Sequence, residues 1–187
     1  VAEPIERITE RGIQTAGGEA HPVDAIVYAT GFQASRFLVP MRIRGRDGLD
    51  LHEQWGPDAT AYLGMAVPGF PNFFMLYGPN TNIVVNGNVI FYSECQITYL
   101  LDCLRRIGEE GVALDCRQEV HDEFVARVDE LNARRAWGCA GVRNWYLSPT
   151  GRVSQNWPST ALEYWERTRS LDPEDYRVLR HKEARHA

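Results

Sequence analysis

With 187 residues, 44% of them apolar and 24% charged, the chain has a globular composition and can bury the core of one ordinary domain or one and a half. A net charge of −5, with no basic patch interleaved with aromatics, argues against a dedicated nucleic-acid binder, because phosphate contacts need a surplus of Lys and Arg. No apolar stretch approaches the ~18 residues that cross a bilayer, and no signal-peptide core follows Val1, so a soluble, cytoplasmic protein is expected.

Residues 1–22 place Ile5, Ile8, Ile13 and Val23 at spaced positions around Gly17-Gly18, the pattern of a hairpin with a glycine turn. The run Ile26–Ala29 then closes on Thr30-Gly31, and Phe73–Tyr77 closes in the same way on Gly78-Pro79. Both read as strands buried on two faces, as in the parallel sheet of an α/β domain, where ligands sit outside the carboxyl ends of the strands. Between them, residues 33–69 are rich in Gly, Pro and Asp and predict a long ordered excursion, with a short strand at Met41–Arg44 and a short helix or turn at Leu51–Trp55.

The strongest helix signal spans about Asn88–Gly108. Ile97, Leu100, Leu101, Leu104 and Ile107 form its expected buried stripe, Val89–Tyr92 is expected to be buried on all sides, and Gly108 and Gly111 stop it. A strand at Val112–Cys116 and a helix at about Gln118–Arg135 follow, the latter with a stripe of Val120, Phe124, Val128 and Leu131. Residues 136–158 mix Trp137, Trp145, Tyr146 and Trp157 with glycines and without a period, as a loop folding over something would. Thr160 and Glu163 stand at capping-box spacing before a helix that should turn Leu162 and Trp165 inward. Asp172-Pro173 opens a short further helix, and the tail from about Arg180 is too charged to pack.

Chemistry concentrates in the turn Gly78–Asn88. It joins a predicted strand to a helix N-terminus and carries Asn80, Asn82, Asn86 and Asn88. Free N–H groups and the helix dipole there suit an anionic or polarised carbonyl ligand, while ordinary capping by Asn86 or Asn88 would use the same residues. Cys95, Cys103, Cys116 and Cys139 lack CxxC spacing and read as buried free thiols. The five histidines form no HExxH or Cys/His cluster, so no metal site is expected. Without a GxSxG elbow or a Cys–His pair, any hard chemistry would fall to a cofactor.

Asp24–Phe32 (DAIVYATGF) resembles the ATG motif of flavin-containing and Baeyer–Villiger monooxygenases, and Gly69–Asn80 (GFPNFFMLYGPN) resembles the strand and turn that follow it. Asn144–Pro158, Tyr164–Arg169 and Asp172–Tyr176 resemble the C-terminal part of the branch that includes 4-hydroxyacetophenone and cyclohexanone monooxygenase-like proteins. The resemblance implies an α/β fold, the C-terminal portion of a flavoprotein with two dinucleotide-binding domains, in which helices pack on an incomplete FAD-domain sheet. Residues 1–22 would come from the end of the NADPH-domain region, 23–179 from the FAD-binding domain, and 180–187 would be a disordered tail.

By the same resemblance Ala29, Thr30 and Gly31 pass close to FAD, Gly78, Pro79 and Asn80 lie near the flavin ring, and Asn88 and Val89 approach its edge. Trp145 belongs to a loop, 136–150, that closes over NADPH. The implied reaction inserts one oxygen of O2 beside a ketone carbonyl, or oxygenates nitrogen or sulfur in a relative. Yet FAD and NADPH each require a G-x-G-x-x-G turn, and no GxG occurs in the chain. The start at Val1, without an initiating Met, is consistent with a fragment. A missing N-terminal portion of the same protein is therefore the expected partner, and the chain alone is expected to be inactive. A non-catalytic α/β binding domain is the alternative.

Overall fold

The computed structural model describes residues 1–84, 87–141 and 144–180, in two compact units that divide between Gln33 and Ala34. Asn86, part of the 136–150 loop at Val142 and Arg143, and the tail beyond Arg180 lie outside the described residues.

The first unit is a three-stranded antiparallel sheet of β1 (Ile5–Thr9), β2 (Gly12–Thr15) and β3 (Ala20–Pro22), in that spatial order. The expected glycine turn joins β2 to β3, with Gly18 at φ 85°. One more strand than expected is present, because Glu10-Arg11 makes a tight turn ahead of it, pairing Thr9 with Gly12 and Ile8 with Ile13.

The run Val23–Phe32 corrects the sequence expectation. It forms no strand, and Val27, Tyr28 and Phe32 are 87%, 71% and 95% exposed. A central strand needs a hydrogen-bonding neighbour on each side, and no strand of this unit pairs with that run.

The second unit holds the helices. Asp50 caps α1 (Leu51–Trp55), accepting from the His52 and Glu53 amides, and Leu51 and Trp55 anchor a small core with Val67, Phe70 and Met75. The expected strand Met41–Arg44 reduces to a single bridge between Arg44 and Asp50. Phe73–Tyr77 is likewise irregular, tied down through Asn72, whose amide donates to Leu114 O while its side chain accepts from Leu114 N.

α2 (Val89–Glu110) ends on Gly111 in the left-handed conformation, as the sequence predicts. β4 (Val112–Cys116) pairs antiparallel along its whole length with β5 (Tyr176–Arg180), running from Val112 opposite Arg180 to Cys116 opposite Tyr176. β5 ends at Arg180, where the expected charged tail begins, and Pro173–Asp175 is a 3-10 turn rather than a fourth helix. Between these strands lie α3 (Gln118–Ala133) and α4 (Ala161–Thr168).

The main core is aromatic. Tyr92 of α2 stacks on Tyr164 of α4 with ring centroids 4.4 Å apart, and Trp157, Phe124 and Tyr62 extend the cluster. Two predicted helix faces are therefore turned the other way. α2 buries Tyr92, Cys95, Gln96, Tyr99 and Cys103, leaving Ile97, Leu101 and Leu104 exposed along with much of Val89 and Ile90. α4 buries Tyr164 and Thr168, leaving Leu162 and Trp165 outward. The physical reason is hydrogen bonding inside the core: Tyr164 Oη donates to Leu63 O, Gln96 Nε2 donates to Tyr164 Oη, and Tyr99 Oη donates to Tyr176 Oη. A polar-tipped aromatic with a partner satisfies burial as well as an aliphatic does. In α3, Phe124 and Val128 face the core as expected, and His121 joins them with Nε2 3.1 Å from Thr60 Oγ1.

All four cysteines are free thiols, and Cys95, Cys103 and Cys116 are buried. Cys139 is exposed, against expectation, on the loop after α3. Burial pushes the Cys103 thiol up to about 12 and raises those of Cys95 and Cys116 as well. Since the thiolate is the reactive species, titration with Ellman's reagent should label one thiol per native chain and four after unfolding. A second thiol of comparable speed in the native state would contradict this packing. Among the described residues no helix is long and apolar enough to cross a membrane, and no group of three or more His, Cys, Asp or Glu is placed to hold a metal ion.

Candidate functional site

The turn Tyr77-Gly78-Pro79-Asn80 carries concentrated backbone strain. Tyr77 (φ 55°) and Asn80 (φ 59°) both occupy the left-handed region, which costs a bulky residue on the order of 1–3 kcal/mol. Surrounding contacts hold it there. The Tyr77 amide donates to Gln96 Oε1 of α2 at 2.8 Å, and Thr81 Oγ1 donates back to Gly78 O at 2.7 Å. Beneath the turn, Gly64 (φ 68°) comes so close that a Cβ there would lie 2.1 Å from Thr81 Cγ2, while a Cβ on Gly78 would lie 2.4 Å from Gly64 O.

A second extended segment, Arg152–Trp157, runs alongside. Asn80 N donates to Ser154 O (3.0 Å), Asn82 N to Gln155 O (2.8 Å), and Trp157 N to Asn82 O (2.9 Å). The asparagine side chains turn inward to the same seam. Asn80 Nδ2 donates to Val153 O and Asn156 O, and its Oδ1 accepts from Arg152 Nη2 at 3.0 Å. Asn82 Nδ2 donates to Asn156 Oδ1, and Tyr77 Oη donates to Asn82 Oδ1 at 2.6 Å. Arg152 completes the lock, bonding Asp129 through Nε and Ala59 O through Nη1. The amide groups of Asn80 and Asn82, which the sequence offers to a ligand, thus serve the protein, and with Gly78, Pro79 and Asn80 buried it is Tyr77 that this turn leaves exposed.

In front of the turn is a mostly apolar recess of about 220 Å³ lined by Ala34, Phe37, Tyr77, Gly78, Asn82, Trp145 and Gln155. Burial raises the Tyr77 phenol above its ordinary value, so it stays a neutral donor. Trp145, 60% exposed, leans on Tyr146 with centroids 5.3 Å apart, and its carbonyl accepts from Gln155 Nε2 at 2.7 Å. A larger cleft of about 580 Å³ lies against α1, where Arg42, Asp50, His52 and Trp55 contribute to its wall.

The structure brings Gly78 and Trp145 to one recess, with Pro79 and Asn80 buried next to Gly78. Asn88 and Val89 do not line it. Asn88 caps α2, its Oδ1 accepting from Phe91 N at 2.9 Å, and Val89 is half exposed. Ala29, Thr30 and Gly31 belong to the first unit, where all three are exposed and Gly31 has φ 78°. Sequence reasoning missed Gln96, Arg152, Gln155 and Asn156. The signal available was the polar run Ser154-Gln155-Asn156 between Val153 and Trp157, a stretch whose apolar flanks imply burial and hence partners.

No family model matches the chain. It is, however, 36% identical over 182 residues to a Baeyer-Villiger monooxygenase of Streptomyces coelicolor, covering 96% of this chain and 35% of that protein. It is 40% identical over 166 residues to an FAD-binding monooxygenase of Aspergillus niger, covering 86% and 27%. An uncharacterized monooxygenase of Sinorhizobium fredii is 36% identical over 175 residues, covering 92% and 26%. Among solved structures, an oxidized steroid monooxygenase bound to NADP matches with a TM-score of 0.75 and 28% identity over 96% of this chain and 34% of the other. OTEMO in complex with FAD and NADP matches at 0.73 and 31%, over 89% and 31%. The chain spans between a quarter and about a third of the length of these relatives, and it belongs to the family of Baeyer–Villiger and FAD-binding monooxygenases.

Proposed function

We propose that this chain supplies one wall of the FAD site in an FAD- and NADPH-dependent monooxygenase that inserts oxygen beside a ketone carbonyl. The observation that carries the reading is the strained, internally locked Tyr77–Asn82 turn, held rigid from behind and facing an aromatic-lined recess. Backbone strain of this kind persists where the surroundings over-determine it, and it clusters at ligand clamps.

The residues present fit the ring end of a flavin and not its pyrophosphate. The recess offers flat apolar surface from Phe37, Tyr77 and Trp145, with the Gly78 backbone beside it, whereas the sequence has no glycine-rich loop to hold phosphates. When bound, the flavin would supply the activation of O2 and NADPH the reducing equivalents. In this chain Gly78, Pro79 and Asn80 would place rigid backbone against the ring, with the Asn80 side chain acting only to hold the turn. Ala29, Thr30 and Gly31 would run along the cofactor. The N-terminus of α2 at Asn88 and Val89 would bias the site toward negative charge by roughly 0.3–1 kcal/mol. Trp145 and the 136–150 loop would exclude water over the nicotinamide. Residues 1–22 and 23–179 would then divide between the NADPH-domain and FAD-domain regions, and the chain alone would lack both phosphate grips and be inactive.

The test is a chimaera in which this chain replaces the matched segment of the Streptomyces coelicolor protein. It should purify with bound flavin and oxidise NADPH in a ketone-dependent manner, and the isolated chain should do neither. A folded chimaera without flavin, or tight FAD uptake by the isolated chain, refutes the reading.

A further inference from the structure

The helix α2 has two apolar faces on opposite sides. At 3.6 residues per turn, Ile90, Ile97, Leu101 and Leu104 fall within about 60° of arc, and they are 65%, 43%, 55% and 50% exposed. Tyr92, Gln96, Tyr99 and Cys103, all at most 1% exposed, occupy the other side and make the core. Glu94, Thr98, Asp102 and Arg105 line one flank between these two faces, and a second apolar face beside that polar flank exceeds the single apolar stripe a surface helix needs. Four branched aliphatics in one exposed row also exceed the scattered apolar side chains that an ordinary surface carries.

We propose that the Ile90–Leu104 stripe is the docking surface for the sheet-bearing remainder of the same monooxygenase. The inference rests on the functional reading above and identifies the surface through which the chain joins the rest. Two observations choose this occupant over a second copy of the chain. The relatives are about three to four times as long as the segment they share with it. In addition, the first unit exposes Val27, Tyr28 and Phe32 in a run that has the composition of a central strand and, among the described residues, no ladder partner. A second copy offers only a three-stranded antiparallel sheet and a two-stranded one among its described residues, neither of which has a vacant central position. An open α/β sheet takes both a strand of that kind and a covering helix.

The experiment compares the same substitutions in the isolated chain and in the chimaera. Leu101→Glu with Leu104→Glu should leave the melting midpoint of the isolated chain within about 2 °C, as for other exposed positions, and should lower that of the chimaera by roughly 8 °C or more. Leu101→Ala, which adds no charge, should show the same contrast with a smaller fall, so the comparison survives if the double variant of the chimaera does not fold. Glu109→Lys, off the stripe, should be tolerated in both.

Equal tolerance in the two contexts overturns the inference. So does a dimer of the isolated chain that the double substitution dissociates while the chimaera is unaffected, and so does a parent chimaera that cannot fold. Flavin content separates the two readings. A chimaera that is sensitive at the stripe yet takes up no flavin keeps the surface and loses the proposed function, whereas a flavin-loaded, ketone-dependent chimaera indifferent to the stripe does the reverse.

Discussion

Gly64→Ala is expected to destabilise the chain by about 3 kcal/mol or more, because two costs add at one position. Gly64 has φ 68°, so any Cβ is strained there by about 1 kcal/mol even in open space. The space is not open, since the Cβ would sit 2.1 Å from Thr81 Cγ2 and 2.9 Å from Pro79 O. Pro79 O is backbone and cannot rotate away, so the Tyr77–Asn82 turn itself must move. Gly111→Ala isolates the first cost: Gly111 is left-handed at φ 63° and ψ 40°, and nothing lies within 4 Å of its ideal Cβ. It should lose only about 1 kcal/mol. Urea unfolding of the two variants beside the parent measures the difference. A Gly64→Ala chain no weaker than Gly111→Ala would show that Gly64 does not support the turn in this way.

The sequence made element boundaries legible where the cause is local. Asn88 before α2 and Gly111 after it, Thr160 with Glu163 at the start of α4, and the apolar run of β4 all carry their causes within a few residues. Helix facing was not legible for α2 and α4, because the deciding bonds are remote: Tyr164 reaches Leu63, 101 residues away, and Gln96 reaches Tyr164, 68 residues away. Hydrophobicity alone favours the Ile and Leu stripe, of which Ile97, Leu101 and Leu104 stay exposed while Ile107 packs against the core. The strand character of residues 23–32 is a property of a sheet, and in this chain the neighbouring strands that would realise it are absent from the described residues. For the candidate site, the turn itself was legible from Gly78-Pro79 and its asparagines. The inward orientation of Asn80 and Asn82 was not, since their partners lie at 153–156.

Arg152 is the residue through which that distant segment grips the turn, and Arg152→Met should cost about 2–3 kcal/mol. Its side chain is 13% exposed and donates to Asp129, Ala59 O and Asn80 Oδ1 together. Removing one partner of a fully buried ion pair costs roughly 3–5 kcal/mol, and the figure is reduced here because Asp129 is 40% exposed and can be hydrated. Asn80 is 4% exposed, so its Oδ1 loses its guanidinium donor with little access to water. Arg152→Lys should recover only part of the loss, since one ammonium cannot reproduce a planar fork reaching three acceptors in different directions. The effect should concentrate at the turn, where the amides of Asn80 and Asn82 donate to Ser154 and Gln155. In hydrogen exchange those two amides should therefore lose protection in Arg152→Met by more than the amides of α3 that lie away from Asp129. Uniform loss across the chain would mean that Arg152 contributes to global stability without holding the turn, and the turn's rigidity would then have to come from Gln96 and Gly64 alone.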